Sequence, residues 1–267
     1  MQEFHTHTFR CKHAEGDISD LAEYAERRGY SMLGISDHTP FPDDHDLEIR
    51  MSMKELENYV QSFHTAKTGH PKLKMLLGME CEYFRKYRDF YKEELLLKRN
   101  FDYLILGQHI FFSGKRLVYF WKEGLGGTKK ELWAYAEALV EGIESGIFSI
   151  VAHPDLFGNF YAPWDEEAKS CSRYILEAAQ SYKIPLEING NGYRKGKRDV
   201  RGIKRFLYPL EPFWEMASQY NISVLVNSDA HKPSQLAPVE EGWKLVDLYN
   251  LKVADLSELY RDSGNQD

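Results

Sequence analysis

Short, almost uninterrupted apolar runs recur along the chain, and each of them ends in a polar or metal-binding side chain. The runs lie at residues 3–7, 32–38, 76–82, 103–109, 148–153, 185–189 and 223–231. Continuous apolar runs, rather than alternating ones, are typical of strands in a parallel sheet that helices cover. The pattern therefore predicts seven buried parallel strands.

Amphipathic segments separate these runs and predict helices. Residues 17–28 have apolar side chains at helical spacing, with Asp17 as the predicted N-cap and Gly29 as the predicted stop. A helix over 52–67 is predicted to open with a capping box between its first residue and Glu55. Further helices are predicted at 129–145, 166–182, 212–220 and 239–249. Because strands and helices alternate without a flexible linker, we expect one α/β domain over residues 1–267, a closed or nearly closed barrel.

Two long loops interrupt the alternation, residues 39–51 after the second strand and residues 190–211 after the sixth. Loops that follow the strands of a (β/α) barrel lie on its catalytic face. Both loops are therefore candidates for substrate recognition.

Composition narrows the class of protein. The net charge of −7 disfavours general electrostatic binding of nucleic acid to the protein surface. No apolar stretch approaches the roughly 20 residues that span a bilayer, and the first residues lack the apolar segment of a signal peptide. Three widely spaced cysteines indicate neither a disulfide framework nor a thiolate zinc site. We expect a cytoplasmic enzyme without membrane or nucleic-acid partners, whose homo-oligomerisation the sequence leaves open.

Histidines and acids stand where the predicted strands end. His5 and His7 are two residues apart on a strand, so both imidazoles point to the same face. Asp229 and His231 repeat this spacing on the last strand, which neighbours the first in a closing barrel. Imidazole and carboxylate donors of this kind suit Zn, Fe or Mn. The two pairs therefore predict a metal site.

Further candidate ligands follow other strands. His38, His109 and His153 each close an apolar run. Glu80 lies at the end of a predicted strand, at a position that should be buried. A buried carboxylate needs a cation or hydrogen-bond donors. A salt bridge to an arginine would satisfy Glu80, but a carboxylate that bridges two metals fits the surrounding histidines better.

These residues carry a resemblance over nearly the whole chain. The motifs are H-T-H at 5–7, S-D-H at 36–38, G-M-E at 78–80, a histidine at 109, H-P-D at 153–155 and S-D-A-H at 228–231. In this order they resemble the polymerase and histidinol phosphatase (PHP) family of metal-dependent phosphoesterases. Two positions depart from that pattern: Glu3 is separated from His5 by Phe4, and the fourth strand ends in G-Q-H.

Shorter motifs resemble the monofunctional histidinol-phosphatase branch of that family. They are C-K-H-A-E-G at 11–16, S-D-H-T-P-F at 36–41, R-M-S at 50–52, H-P-D-L-F at 153–157 and L-E-I-N at 186–189. The resemblance implies a phosphomonoesterase that hydrolyses L-histidinol phosphate in histidine biosynthesis. The expected reaction is in-line attack on phosphorus by a hydroxide shared between two metals, without a covalent phosphoenzyme.

The resemblance also implies a distorted seven-stranded barrel of the PHP type, with two or three divalent metal ions (Zn, Fe or Mn) at the carboxyl ends of its strands. Asp37 and His38 are the candidate catalytic residues, and the leaving alkoxide would take its proton from a metal-bound water or from a nearby acid such as Asp37. The implied ligand sets are His5, His7, Glu80 and Asp229 for the first metal, Glu80, His109 and His153 for the second, and His13, His38 and His231 for the third.

The second long loop is strongly basic. Seven of the twelve residues from Arg194 to Arg205 are Lys or Arg. Guanidinium groups bind phosphate in bidentate fashion, so Arg194, Arg198 and, in the first long loop, Arg50 are the candidate substrate-binding residues. Most of the other basic side chains are expected to be solvated.

Two other functions compete with this interpretation. The same fold and metals could serve a phosphoesterase acting on nucleotides or nucleic-acid ends, which the acidic charge disfavours. A metal-stabilised binding module is the non-enzymatic alternative. Nine candidate ligands exceed the four that a closed structural metal site normally uses, which favours the enzyme.

Overall fold

The computed structural model describes residues 1–259, in which eight parallel strands form one sheet and four others form two hairpins. The strands are β1 (Gln2–Glu3), β2 (Met32–Ile35), β3 (Lys74–Cys81), β4 (Tyr103–Leu106), β5 (Ile110–Ser113), β6 (Arg116–Tyr119), β7 (Ile150–Val151), β8 (Leu186–Asn189), β9 (Arg198–Val200), β10 (Ile203–Arg205), β11 (Ser223–Asn227) and β12 (Lys252–Val253). The sheet has the order β1-β2-β3-β4-β7-β8-β11-β12.

Helices cover this sheet. They are α1 (Ile18–Arg27), α2 (Leu56–Gly69), α3 (Phe120–Glu123), α4 (Lys129–Glu144), α5 (Glu166–Tyr182), α6 (Gly190–Arg194), α7 (Glu211–Ala217) and α8 (Glu240–Tyr249), with a π-helical segment at Phe90–Lys98. Asp17 caps α1 as predicted, since its side chain accepts from the Ile18 N–H at 2.7 Å. Helix α2 begins at Leu56 and not at residue 52, although the Glu55 carboxylate accepts from the Ser52 N–H and hydroxyl at 2.8 Å and 2.9 Å, which is one half of the predicted capping box.

All seven predicted strands are present, and the sheet has one more, β12. This strand has only two residues, both exposed, and pairs with Ser223 and Val224 of β11. Since β12 contains no apolar run, the hydrophobic pattern has no signal for it. The prediction of seven strands is therefore one short for the described residues.

The sheet curls until its first strand meets β11. A single parallel bridge joins Thr6 to Ala230. The His7 N–H donates to the Ala230 carbonyl at 2.8 Å, and the Ala230 N–H donates to the His5 carbonyl at 3.2 Å. This contact lies just beyond the carboxyl ends of both strands, so it brings His5 and His7 next to the residues that follow β11.

Two apolar cores lie on the two sides of this curled sheet. The larger lies between the sheet and the helices, and the smaller fills the interior of the curl. In the interior, Tyr103 from β4 crosses to the first strand and donates its hydroxyl to the Phe4 carbonyl at 2.6 Å. No helix within residues 1–259 is both long enough and apolar enough to cross a bilayer.

The three cysteines are buried and free. Burial raises the pKa of the Cys171 thiol to about 12 and also raises the pKa of the Cys11 and Cys81 thiols. The thiolate is the reactive form, so we expect no reaction of the folded protein with a thiol-reactive disulfide reagent at pH 8. Three thiols should react after denaturation. Rapid labelling of a native cysteine, followed by mass spectrometry, would contradict this burial.

Candidate functional site

A cavity of about 420 Å³ opens where the chain leaves the strands of the sheet. Its polar wall consists of residues that follow strand ends or lie in the loop after β1. The lining residues are His7, His13, His38, Ile49, Glu80, Glu82, His109, Phe120, Trp121, His153, Leu156, Asn191, Lys195, Tyr208, Asp229 and His231. His5 lies beneath this wall and is fully buried.

The first group of donors in the cavity is formed by His5, His7, Glu80 and Asp229. The Nε2 atoms of His5 and His7 lie 3.2 Å apart. Both face Glu80 Oε2, at 3.3 Å and 3.5 Å respectively. Asp229 Oδ1 lies 3.2 Å from His7 Nε2 and 3.8 Å from His5 Nε2. These are the four residues that the sequence predicted for the first metal, and the fold brings them together.

Glu80 also faces a second group of donors with its other oxygen. Glu80 Oε1 lies 3.0 Å from His153 Nε2 and 3.4 Å from His109 Nε2. The two histidine nitrogens are 3.1 Å apart. The carboxylate of Glu80 therefore lies between the two groups, with one oxygen directed to each.

The third predicted set, His13, His38 and His231, is looser. The ring centroids of His13 and His231 are 4.9 Å apart, and those of His13 and His38 are 5.4 Å apart. The Cys11 sulfur, one ring nitrogen of His13 and one ring nitrogen of His231 all lie within 4.8 Å of one another. Cys11 was not predicted as a ligand, because a single cysteine forms no ligand motif with other cysteines.

Several buried atoms of these groups have no hydrogen-bond partner among the described residues. They include Glu80 Oε2, Asp229 Oδ1 and His38 Nδ1. A buried polar atom without a partner costs about 1–3 kcal/mol, and more when it is charged. Because these atoms face one another as carboxylate and imidazole lone pairs, divalent cations would satisfy several of them at once. The donor set therefore fits the metals that the sequence implies.

Electrostatics keep the carboxylates ionised. Burial alone would raise the pKa of Glu80, but the imidazoles of His109 and His5 outweigh it and hold that pKa well below its usual value. The pKa of Asp229 is likewise held low, against burial, by His5 and His231. Ionised carboxylates are the form that binds metal.

His13 and His38 of the third group are neutral. Burial lowers the pKa of His38 to about 3, and burial together with the neighbouring His231 lowers the pKa of His13 to about 4. A neutral imidazole keeps a lone pair for a cation and has no extra proton to donate. His38 is therefore better suited to binding a cation than to acting as an acid.

Buried carboxylates support the imidazoles from behind. His5 Nδ1 lies 2.8 Å from Glu187 Oε1, and His109 Nδ1 lies 3.0 Å from Glu82 Oε1. Such partners fix the tautomer and orientation of metal-binding histidines. No role was predicted for Glu187 or Glu82, although Glu187 lies in the L-E-I-N motif.

Asp37 belongs to this supporting layer and does not line the cavity. It is fully buried, and its carboxylate accepts from the backbone N–H groups of Thr8 and His38. Despite burial, the contact with His7 and the hydrogen bond from the Thr8 hydroxyl lower the pKa of Asp37. An ionised, enclosed carboxylate does not fit the role of an acid that protonates a leaving group.

The three predicted arginines do not line the cavity either. Arg50 is fully buried against Glu82, and Arg198 is exposed in β9. Arg194 donates to the Asp229 carbonyl at 2.8 Å. Among the described residues, the basic side chain that lines the cavity is Lys195, which donates to the Tyr208 hydroxyl at 2.8 Å. The basic run in the sequence contains Lys195, but nothing in the pattern distinguishes it from its neighbours.

An apolar wall faces the polar one. It is contributed by Ile49, Phe120, Trp121 and Leu156. Phe120 and Trp121 follow the β5–β6 hairpin, which begins directly after His109. The hairpin therefore places aromatic side chains beside the second donor group.

Comparisons with known proteins show which family the sequence matches. The PHP domain family model matches residues 3–191. The chain is 27% identical to a "Probable histidinol-phosphatase" of Deinococcus radiodurans, covering 87% of this chain and 86% of that protein. It is 25% identical to a "Probable histidinol-phosphatase" of Schizosaccharomyces pombe, covering 87% of this chain and 81% of that protein.

A solved structure has the same fold. It is a histidinol phosphate phosphatase from Lactococcus lactis complexed with Zn, L-histidinol and phosphate, and it aligns with a TM-score of 0.70 at 16% identity. The alignment covers 98% of each chain.

Proposed function

Because the chain belongs to the PHP family, we propose that it is a metal-dependent phosphomonoesterase that hydrolyses L-histidinol phosphate to L-histidinol and inorganic phosphate in histidine biosynthesis. The observation that carries this proposal is the position of Glu80, whose two oxygens face two separate groups of imidazoles in one cavity. The names of the relatives from Deinococcus and Schizosaccharomyces, and the contents of the Lactococcus structure, support the choice of substrate.

The proposed metal ligands are the three sets that the sequence implies. His5, His7, Glu80 and Asp229 would hold one ion, Glu80, His109 and His153 a second, and His13, His38 and His231 a third. Divalent ions bound there would acidify a coordinated water and neutralise charge on phosphoryl oxygens. Zn, Fe and Mn all suit these donors, and zinc is the metal in the Lactococcus structure.

We infer that the catalytic domain extends beyond the segment that the family model matches. That segment ends at residue 191, whereas Asp229 lies within 3.2 Å of His7 at the centre of the site. The domain therefore needs β11 and the turn that follows it, in keeping with a single domain over residues 1–267.

The remaining cavity residues would bind the substrate. Lys195 and Tyr208 lie beside the donor groups, where the lysine can contact a phosphate oxygen and the phenol can donate a second hydrogen bond. The wall of Phe120 and Trp121 offers flat apolar faces to an imidazole ring. The two walls together match a substrate with a phosphate at one end and an aromatic ring at the other.

Phosphate release from a substrate panel tests the function. The purified protein, supplied with Mn, Zn or Fe, should release phosphate from L-histidinol phosphate faster than from nucleotides or para-nitrophenyl phosphate. A chelator should abolish the release. Preferential release from nucleotides would assign a different substrate, and no release from any ester with any of these metals would favour a binding module.

Replacing Lys195 with methionine is expected to raise KM for the phosphate ester about 10- to 100-fold. A hydrogen bond to a charged group contributes about 1.5–3 kcal/mol, which corresponds to that range. Steady-state kinetics measures the effect, with Arg198→Met as the control because Arg198 is an exposed cation of the same loop. Equal KM values for the Lys195 variant and the wild type would exclude a phosphate contact.

A further inference from the structure

A buried ion pair lies directly behind His109. The side chains of Arg50 and Glu82 are 0% and 1% exposed, with Arg50 Nη1 3.0 Å from Glu82 Oε2. Arg50 Nη2 donates to Glu82 Oε1 at 3.2 Å, so the contact is bidentate. Glu82 Oε1 also lies 3.0 Å from His109 Nδ1. The three side chains therefore form one continuous chain of contacts that ends at the cavity.

Arg50 connects the contacts among Arg50, Glu82 and His109 to the loop over residues 39–51. Its Nη1 donates to the Thr39 carbonyl at 2.8 Å, and its guanidinium lies 3.9 Å from the centre of the Phe41 ring. Thr39 in turn donates its N–H and its hydroxyl to the Glu80 carbonyl, at 2.9 Å and 2.8 Å. The arginine thus contacts both the loop and, through Thr39, the backbone of Glu80.

The direction of the hydrogen bonds sets the tautomer of His109. A carboxylate that is paired with a guanidinium can only accept, so Nδ1 of His109 must donate the proton of the contact with Glu82. In that Nδ1–H tautomer the lone pair lies on Nε2, which faces Glu80 and His153. In the opposite tautomer a proton would occupy the position where a cation is expected.

We propose that Glu82 and Arg50 form a positioning pair that holds His109 in its Nδ1–H tautomer and ties this ligand to the loop over residues 39–51. This inference rests on the proposed metal site but concerns two residues that do not contact the metal. Arg50 thereby acts through Glu82 and His109, in place of the phosphate contact that the sequence suggested.

Fold stability alone is a poor explanation of the pair. Replacing a buried ion pair with apolar side chains of similar size is often neutral or stabilising, whereas removing one partner leaves an unpaired buried charge. The double variant Arg50→Met/Glu82→Leu removes both charges at once. It therefore separates the loss of the His109 contact from general destabilisation.

The experiment compares two double variants with the wild type. In Arg50→Met/Glu82→Leu, His109 loses its acceptor, and we expect zinc affinity at one site to fall about 10- to 100-fold with the thermal midpoint retained or raised. In Arg50→Met/Glu82→Gln, the glutamine oxygen can still accept from Nδ1, and we expect affinity closer to that of the wild type. Zinc affinity is measured by competition with a chromophoric chelator, and bound zinc by elemental analysis.

A matched control removes a buried carboxylate that contacts no imidazole. Asp155 is fully buried and accepts from the Leu210 N–H at 2.5 Å and from Trp214 Nε1 at 2.9 Å. Asp155→Asn should leave zinc affinity at the wild-type value, whatever it does to the thermal midpoint. Zinc affinity that is equal in the leucine and glutamine double variants would overturn the proposal.

The outcome does not depend on the substrate. Zinc affinity is read without any phosphate ester, so a wild-type protein that hydrolyses none of the panel would refute the proposed function and leave this comparison interpretable. Conversely, an active enzyme whose zinc affinity is the same in all variants would refute the positioning role alone.

Discussion

Replacing Glu80 with alanine is expected to remove bound metal and to lower turnover by more than about 100-fold. Loss of a supporting partner behind a ligand already costs about 10- to 100-fold in affinity or activity, and Glu80 would be a direct ligand of two ions. Its oxygens lie 3.3 Å from His5 Nε2 and 3.0 Å from His153 Nε2. The substitution therefore removes one ligand from each of the two donor groups.

Elemental analysis and phosphate release measure the effect of the Glu80 substitution. Glu15→Ala is the control, because Glu15 is a mostly exposed carboxylate near the same cavity that pairs with Lys232. We expect Glu15→Ala to keep the wild-type metal content and rate. A Glu80→Ala protein with full metal content and a near-normal rate would refute the bridging role.

Replacing Gly107 with alanine is expected to damage the site almost as much, although Gly107 offers no side-chain ligand. A Cβ atom at this position would lie 2.1 Å from Glu80 Oε1 and 2.7 Å from Glu80 Cδ. Neither distance is tolerable, so the carboxylate must move away. Because Glu80 is enclosed by imidazoles, it has no alternative position that keeps both donor groups.

The control for this substitution is Gly69→Ala, since a Cβ at the end of α2 meets no atom within 4 Å. It should leave metal content and turnover unchanged. The double variant Gly107→Ala/Glu80→Ala gives the decisive measurement. Both changes act through one carboxylate, so the double variant should be no less active than Glu80→Ala alone. Additive losses would show that Gly107→Ala acts elsewhere, by distorting β4.

The pattern of the sequence predicted the positions of the candidate ligands well. Apolar runs end where strands end, and a parallel sheet brings its carboxyl ends to one edge, so residues such as His38 and His153 converge whatever their separation in the chain. The identity of the donors then indicated the chemistry. For the same reason the pairing of His5 and His7 with Asp229 followed from the closure of the sheet.

The supporting residues could not be read from the sequence. Arg50 is a charged residue in a long loop, and such a residue usually contacts solvent or a ligand. Only the fold shows that Arg50 pairs with Glu82. Both hairpins were also missed, since β9 and β10 have three residues each and few apolar positions. Lys195 is one of seven cations in a short stretch, and the turn after α6, rather than any pattern, directs it to the cavity.

The contact between Thr6 and Ala230 has a consequence for biosynthesis of the protein. Asp229 follows His5 by more than 200 residues in the chain, so during synthesis His5 and His7 are present long before their acidic partner. The four residues of the first donor group are therefore assembled only when the sheet closes through Thr6 and Ala230, and an ion held by all four would bind after that closure.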